Sequence, residues 1–302
     1  MSKPVSLPTI NKLTFAQRWL SYKKNPLSLF LFIIVCISAF LTVLALLFII
    51  TYIMVNGIPH LNADIFAWKY TSDNASLTPA LINTLIMTAL ALLLAVPIGI
   101  GAAIYLVEYA RRSANKLVAV VRLTAETLAG IPSIVYGLFG FLFFVAVLEW
   151  GMSLLAGAFT LAIMILPLIM RTTEEALKSV PSTYREGSFG LGAGRLRTVL
   201  RIVLPSAMPG ILAGIILGIG RIVGESAALI YTAGAVAKVP ESLFESTRTM
   251  AVHMYLLSTE GLYIDQTYAT AVILIITVII INLLSSRLAK KLAKGNGNGK
   301  PC

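Results

Sequence analysis

The sequence predicts an all-α integral membrane protein that crosses the bilayer six times with both termini cytoplasmic. Three observations predict it. Of 302 residues, 58% are hydrophobic and 12% are charged, against about 25% charged in soluble domains. The apolar residues are gathered into six runs separated by polar segments, and about 20 apolar helical residues cross the hydrocarbon core. The basic residues are concentrated in alternate segments between those runs, as the positive-inside bias requires.

Residues 1–28 carry Lys3, Lys12, Arg18, Lys23 and Lys24 and no acid. Residues 29–55 form the first span. The run is longer than a signal-peptide core of about 7–15 residues and lacks a small-residue cleavage site, so it reads as retained. The second span covers residues 78–107 and contains Pro97, which kinks a helix, with small residues beside it that let another helix approach. Residues 108–130 mix charge with Leu117, Val120, Val121 and Leu128, the pattern of an amphipathic surface helix. A third span follows at residues 131–148 and a fourth at 154–170. The fifth is placed at 209–233 and the sixth at 269–284, followed by a basic, Gly/Asn-rich tail at 287–302 that reads as disordered.

With the N-terminus inside, 20 of the 24 basic residues lie on the inner side; Lys69, Lys238 and Arg248 lie outside and Arg221 lies within a span. The net charge of +11 is therefore a matter of topology and not of nucleic-acid binding. Cys36 and Cys302 are not placed for a disulfide. His60 and His253 are isolated and read as surface residues of the outer side, so no metal or cofactor site is expected. No nucleotide-binding GxxxxGK[ST] is present: the only Gly-Lys pair, Gly299-Lys300, is followed by Pro301. No spacing suggests a catalytic triad, and the chain does not read as an enzyme.

Residues 174–210 are the longest polar interruption. Val180-Pro181 stops one helix and Ser182-Thr183 can cap another. Residues 184–191 make about two turns that are poor in propensity, because Gly187 and Gly190 each cost about 1 kcal/mol against Ala. A weak helix with a flat glycine surface suggests that another protein packs on it. Gly192 or Gly194 can supply the left-handed turn that ends it. Residues 195–204 then form a second short helix that Pro205 ends, and Pro209 starts the fifth span.

In the fifth span Gly210, Gly214 and Gly218 recur every four residues, a stripe for close helix packing. Arg221 and Glu225 extend it by helical period. An arginine near a span centre costs about 2.5–3.5 kcal/mol and needs water or a partner, which Glu225, one turn on, can supply. Two readings stay open. In one, Arg221 contacts a tetrahedral oxyanion in transit, its planar fork matching the oxygens, while Glu225 holds that charge between passages. In the other, the two form an ion pair that pins the helix to a neighbour. Arg171, at the inner end of the fourth span, is a further candidate for the substrate path or a positive-inside anchor.

The pattern Glu186-Gly187-Ser188, then Gly192, then Ile202-Val203-Leu204-Pro205 resembles the coupling loop of bacterial ABC importer permeases. Gly187-Ser188 stand where that family usually has Ala-Ala. The resemblance implies the type I importer permease fold, with residues 182–192 inserting into a cleft of a cytoplasmic ATPase. Tyr184, Arg185, Glu186, Gly187, Ser188, Gly192, Leu204 and Pro205 would be the coupling residues in a loop at 174–208. Residues 95–100 (AVPIGI), 108–110 (EYA), 128–140 (LAGIPSIVYGLFG) and 220–228 (GRIVGESAA) further resemble the PstA-type permeases of phosphate importers. That resemblance covers about residues 80–286, within a six-span domain at 29–286. It implies a permease subunit of the bacterial inner membrane that moves inorganic phosphate. Its expected partners are a PstC-type second permease, two copies of an ATPase subunit, a periplasmic phosphate-binding protein and membrane lipid. The residues alone do not separate phosphate from sulfate or molybdate, and they leave open a scaffold or sensor that recruits an ATPase. A secondary transporter would show inverted repeats, which the sequence does not display.

Overall fold

The computed structural model describes residues 26–110, 116–261 and 263–295. Most of the basic N-terminal segment, Arg111 and Arg112, and the end of the basic tail lie outside the described residues. The chain divides into two units, Met1–Val55 and Asn56–Cys302. The described part of the first lies in helix α1 (Pro26–Gly57), whose apolar side chains are exposed all round, the composition of a helix suited to lipid.

The second unit is a helical bundle, with no strand among its described residues. Its elements are α2 (Thr78–Ile104), α3 (Lys116–Ala129), α4 (Ser133–Gly140), α5 (Leu154–Ser179), α6 (Ser182–Gly190), α7 (Arg195–Thr198), α8 (Leu204–Val223), α9 (Ala227–Thr232), α10 (Met250–Glu260) and α11 (Ile264–Gly295). Helix α5 is the axis of the bundle. Leu161, Met164, Ile165 and Ile169 are wholly buried on it, and α2, α8 and α9 pack around it. Small residues allow the close approaches. A Cβ on Gly99 would meet Ile169 at 2.9 Å, and one on Gly210 would meet Ala176 at 2.7 Å. At Gly214 it would collide with Thr172, so the four-residue glycine stripe is the seam between α8 and α5.

Among the described residues five helices are long and apolar enough to cross a membrane, and a sixth crossing is made only if a bent pair counts as one. That pair carries the expected amphipathic helix and, after it, the third span. Ser133–Val147 is too short alone, and it meets Val118–Ala129 at 103° through Gly130 to Pro132. Pro132 cannot continue a helix and disfavours α geometry at Ile131. Within α3 Val118 is buried, with Val121 and Ala125 packed beside it, whereas Val120 is exposed; the side chain of Leu117 lies outside the described residues.

The helix of the fourth span, α5, runs on past Met170 to Ser179 and ends at Val180-Pro181, as expected. The fifth span differs most. Residues 195–204 are not a separate helix: Arg195–Val223 is one helical run of 29 residues, with Pro205 and Pro209 inside it. A wide π turn at Val199–Val203, in which Leu204 N–H donates to Val199 O, precedes Pro205 and absorbs the missing N–H and the ring. The run then ends at Val223 instead of Ala233, because Gly224 to Ser226 break it before α9. The sixth span is the longer helix α11.

Candidate functional site

Two places carry the sequence-predicted residues, joined by the Arg195–Val223 run. The first is the segment around α6. Its end is set by Gly192 at φ +80°. Gly192 N–H donates to Phe189 O at 2.9 Å and Ala193 N–H to Ser188 O at 3.1 Å, the paired bonds of a Schellman ending. Neither Ser182 nor Thr183 makes a side-chain cap; Pro181 occupies the cap position. Ser188 is buried, and its hydroxyl shares a 2.8 Å hydrogen bond with Thr198 Oγ1. The serine thus staples α6 to the next arm, and the loosening expected from Gly187-Ser188 is offset at Ser188. Gly187, Gly190 and Gly194 face open space, where an added Cβ would meet nothing within 4 Å. Tyr184, Phe189 and Leu191 stand exposed, Leu191 at 90%. A groove of about 540 Å³ lies between α6 and the following arm, bordered by Tyr184, Leu191, Arg197 and Arg201. Exposed apolar knobs therefore stand beside glycine flats on one open surface. Glu186 is exposed, while Leu204 and Pro205 are half-buried in the helical run. Arg185 differs from its neighbours: it turns inward, and its Nη2 lies 2.7 Å from Glu108 Oε1.

The second place is a cavity of about 570 Å³ beside α8. Leu168, Ala213, Ile216, Leu217 and Gly220 line it, and its polar side chains are Arg221 and Asn282. The predicted Arg221–Glu225 pair is not formed. The break at Gly224 takes Glu225 off the helix, where its Oε1 accepts from Ala228 N–H at 3.1 Å and so serves the start of α9. Arg221 is left as the charged residue of a wall whose other polar side chain is the neutral Asn282, which leaves its guanidinium available to an anion. Asn282 was missed in the sequence; the only amide within the predicted sixth span was the available signal.

Arg171 is elsewhere. It lies 3.5 Å from Glu175 Oε1 on a separate cavity of about 190 Å³ shared with Arg122, Glu126, Glu174 and Lys178. Glu174 is buried and holds Arg122 at 2.8 Å and Lys178 at 2.7 Å. His253 is not a surface residue. It is fully buried, edge-on to Tyr70, whose ring is covered by the Arg248 guanidinium at 4.4 Å. Burial, and then the Arg248 charge, push the imidazole pKa down to about 3. Among the described residues no cluster of His, Cys, Asp and Glu could hold a metal.

Residues 95–296 match the family described as binding-protein-dependent transport system inner membrane component. The chain belongs to this family. It is therefore a multi-pass inner membrane protein. It is 32% identical to the probable ABC transporter permease protein YqgI of Bacillus subtilis (strain 168), over 81% of this chain and 88% of that one. It is 37% identical to the phosphate transport system permease protein PstA 1 of Mycobacterium tuberculosis (strain ATCC 25618 / H37Rv), over 69% of this chain and 68% of that one. A permease fold is shared with the crystal structure of a bacterial alginate ABC transporter in complex with alginate pentasaccharide-bound periplasmic protein. The TM-score is 0.66 at 16% identity, covering 90% of this chain and 98% of that one.

Proposed function

We propose that this chain is a channel-forming permease subunit of an ATP-driven importer that moves inorganic phosphate inward, with Arg221 as its anion contact. The observation that carries the reading is the solitary guanidinium in the apolar cavity, unclaimed by Glu225. The planar guanidinium fork matches the oxygens of a tetrahedral oxyanion, and the Asn282 amide supplies a second donor in the same pocket. The identity with phosphate permease proteins supports phosphate over other oxyanions.

In this reading both termini and α6 face the cytoplasm, where the basic segments gather. The exposed surface of α6 docks in a cleft of an ATPase subunit, present in two copies. ATP hydrolysis belongs to that subunit. A PstC-type permease completes the channel, and a periplasmic phosphate-binding protein delivers the anion to the outer loops. Residues 29–286 act as the permease domain and residues 174–208 as its coupling loop.

The test is Arg221→Ala in the assembled transporter. The complex is expected to co-purify in normal yield while phosphate uptake falls at least a hundredfold. Normal uptake overturns the role of Arg221. Stimulation of ATP hydrolysis by a sulfate- or molybdate-loaded binding protein, in place of the phosphate-loaded one, overturns the substrate.

A further inference from the structure

Arg185 lies in the docking segment, but its side chain faces away from the exposed docking surface. Its Nε lies 3.0 Å from Glu108 Oε1 and 3.4 Å from Oε2, and its Nη2 2.7 Å from Oε1. The remaining donors serve backbone: Nη1 donates to Val180 O at 2.8 Å and Nη2 to Leu177 O at 2.9 Å. Those carbonyls belong to the C-terminal end of α5, where helix carbonyls lack intrahelical partners. One guanidinium therefore ties together α6, the end of α5 and the end of α2. Only 18% of the Arg185 side chain and 8% of the Glu108 side chain are exposed, so solvent screens the pair little.

Glu108 is aimed there by a wide π turn, Tyr105–Tyr109, in which Ala110 N–H donates to Tyr105 O at 2.9 Å. Each helical residue turns about 100°, so one extra residue in a turn re-aims every side chain after it. Such turns are rare and concentrate at functional positions. A second contact grips the same turn from the other arm of the segment: the Arg195 guanidinium lies over the Tyr109 ring at 5.8 Å.

We propose that Arg185 and Glu108 are a positioning pair that carries movement of the docking helix Ser182–Gly190 to the span Thr78–Tyr109. This rests on the reading of α6 as the ATPase-coupling segment. A forked, multiply bonded contact fixes orientation as well as distance, which a lysine ammonium cannot do. The docked ATPase would then steer two helices at once. It acts on Arg195–Val223 through the chain and on Thr78–Tyr109 through Glu108.

The test uses the complete transporter in liposomes, with phosphate and its binding protein, and reads phosphate moved per ATP hydrolysed. Glu108→Gln keeps the shape and removes the charge. Arg185→Lys keeps the charge and removes the fork. Both are expected to lower the ratio at least tenfold in complexes purified as assembled, with Glu108→Asp recovering part of it. A purely structural pair predicts less assembled complex with an unchanged ratio, and that result overturns the proposal. The coupling reading has its own control, Leu191→Asp on the exposed face. If that variant still retains the ATPase subunit on co-purification, the docking reading fails, whatever the Glu108 result.

Discussion

One substitution, glycine to alanine, is expected to act in three ways along residues 187–214. At Gly187 the backbone is helical and an added Cβ meets nothing within 4 Å. The change gains helix propensity alone, about 1 kcal/mol. At Gly192 there is equal space, but φ is +80°, so alanine enters the left-handed region at a cost of about 1–2 kcal/mol. At Gly214 the new Cβ would lie 2.6 Å from Thr172 Cβ and still nearer its hydroxyl, which donates to Leu168 O at 2.9 Å. Overpacking of this kind costs about 1–3 kcal/mol, against a propensity gain of about 1 kcal/mol. Thermal unfolding midpoints of the detergent-purified chain should therefore rise for Gly187→Ala and fall for Gly192→Ala and Gly214→Ala. Adding Thr172→Ala to Gly214→Ala removes the hydroxyl but not the Cβ, so recovery should be partial, with a coupling of about 0.5–3 kcal/mol. A lower midpoint for Gly187→Ala would refute the open-face assignment. A Gly214→Ala midpoint at or above wild type, with no coupling to Thr172, would refute the α5–α8 seam.

Other outcomes rest on the same geometry. Because the folded-state pKa of His253 is depressed to about 3 from 6.5, the unfolded chain binds the extra proton first. Stability should fall as pH drops below about 6.5, approaching about 1.4 kcal/mol per pH unit, and His253→Gln should flatten that dependence in denaturation between pH 4 and 7. Asn282→Asp puts a carboxylate in the Arg221 cavity and should raise the half-saturating phosphate concentration for uptake at least tenfold, while Asn282→Gln raises it less. Arg221→Lys should leave most of the transport defect of Arg221→Ala, since the ammonium lacks the planar fork; full recovery in an uptake assay would show that charge alone suffices.

The hydrophobic runs made the all-α membrane class legible, because lipid demands long apolar helices. Spacing alone located the glycine seam between α5 and α8. Three departures share one cause: proline and glycine signal only locally, while the helices around them are set by packing. Pro205 sits inside a helical run because the wide turn at Val199–Val203 accommodates its ring, and no single residue announces such a turn. Gly224 breaks the helix where periodicity alone carries it on, and this undoes the Arg221–Glu225 pair. Pro132 caps the helix of the third span, but nothing local announces the 103° turn from the helix before it. The long-range pairs Arg185–Glu108 and Arg122–Glu174 are beyond pattern reasoning, since partners so distant in the chain are brought together only by packing. His253 is hidden from such reasoning too, because a lone histidine in a polar stretch carries no mark of burial.

The two ends of the Thr78–Tyr109 helix show what a positioning pair at Glu108 can accomplish. At one end is the Arg185 grip. At the other, Asn83 Nδ2 donates to Lys238 O at 2.9 Å and Arg248 O at 3.2 Å, and Met250 N–H donates to Thr84 Oγ1 at 2.9 Å. The 25 residue steps from Asn83 to Glu108 rise about 38 Å at 1.5 Å each, more than the hydrocarbon thickness of about 30 Å. One helix therefore joins the α6 segment to the buried Arg248 and His253 and to the half-buried Tyr70 across the bilayer. Pro97 lies midway, where a kink can absorb motion, but Gly99 is seated on Ile169 of α5, which holds the two sides of the kink to the bundle axis. A bend there would have to open that seat. Thus Gly99→Leu, which would force the seat apart, should uncouple the far end of the helix as Glu108→Gln does at the near end. Gly101→Leu, two residues on and facing open space, should not. Equal phosphate transport per ATP in the two glycine variants would mean that the helix does not carry the motion.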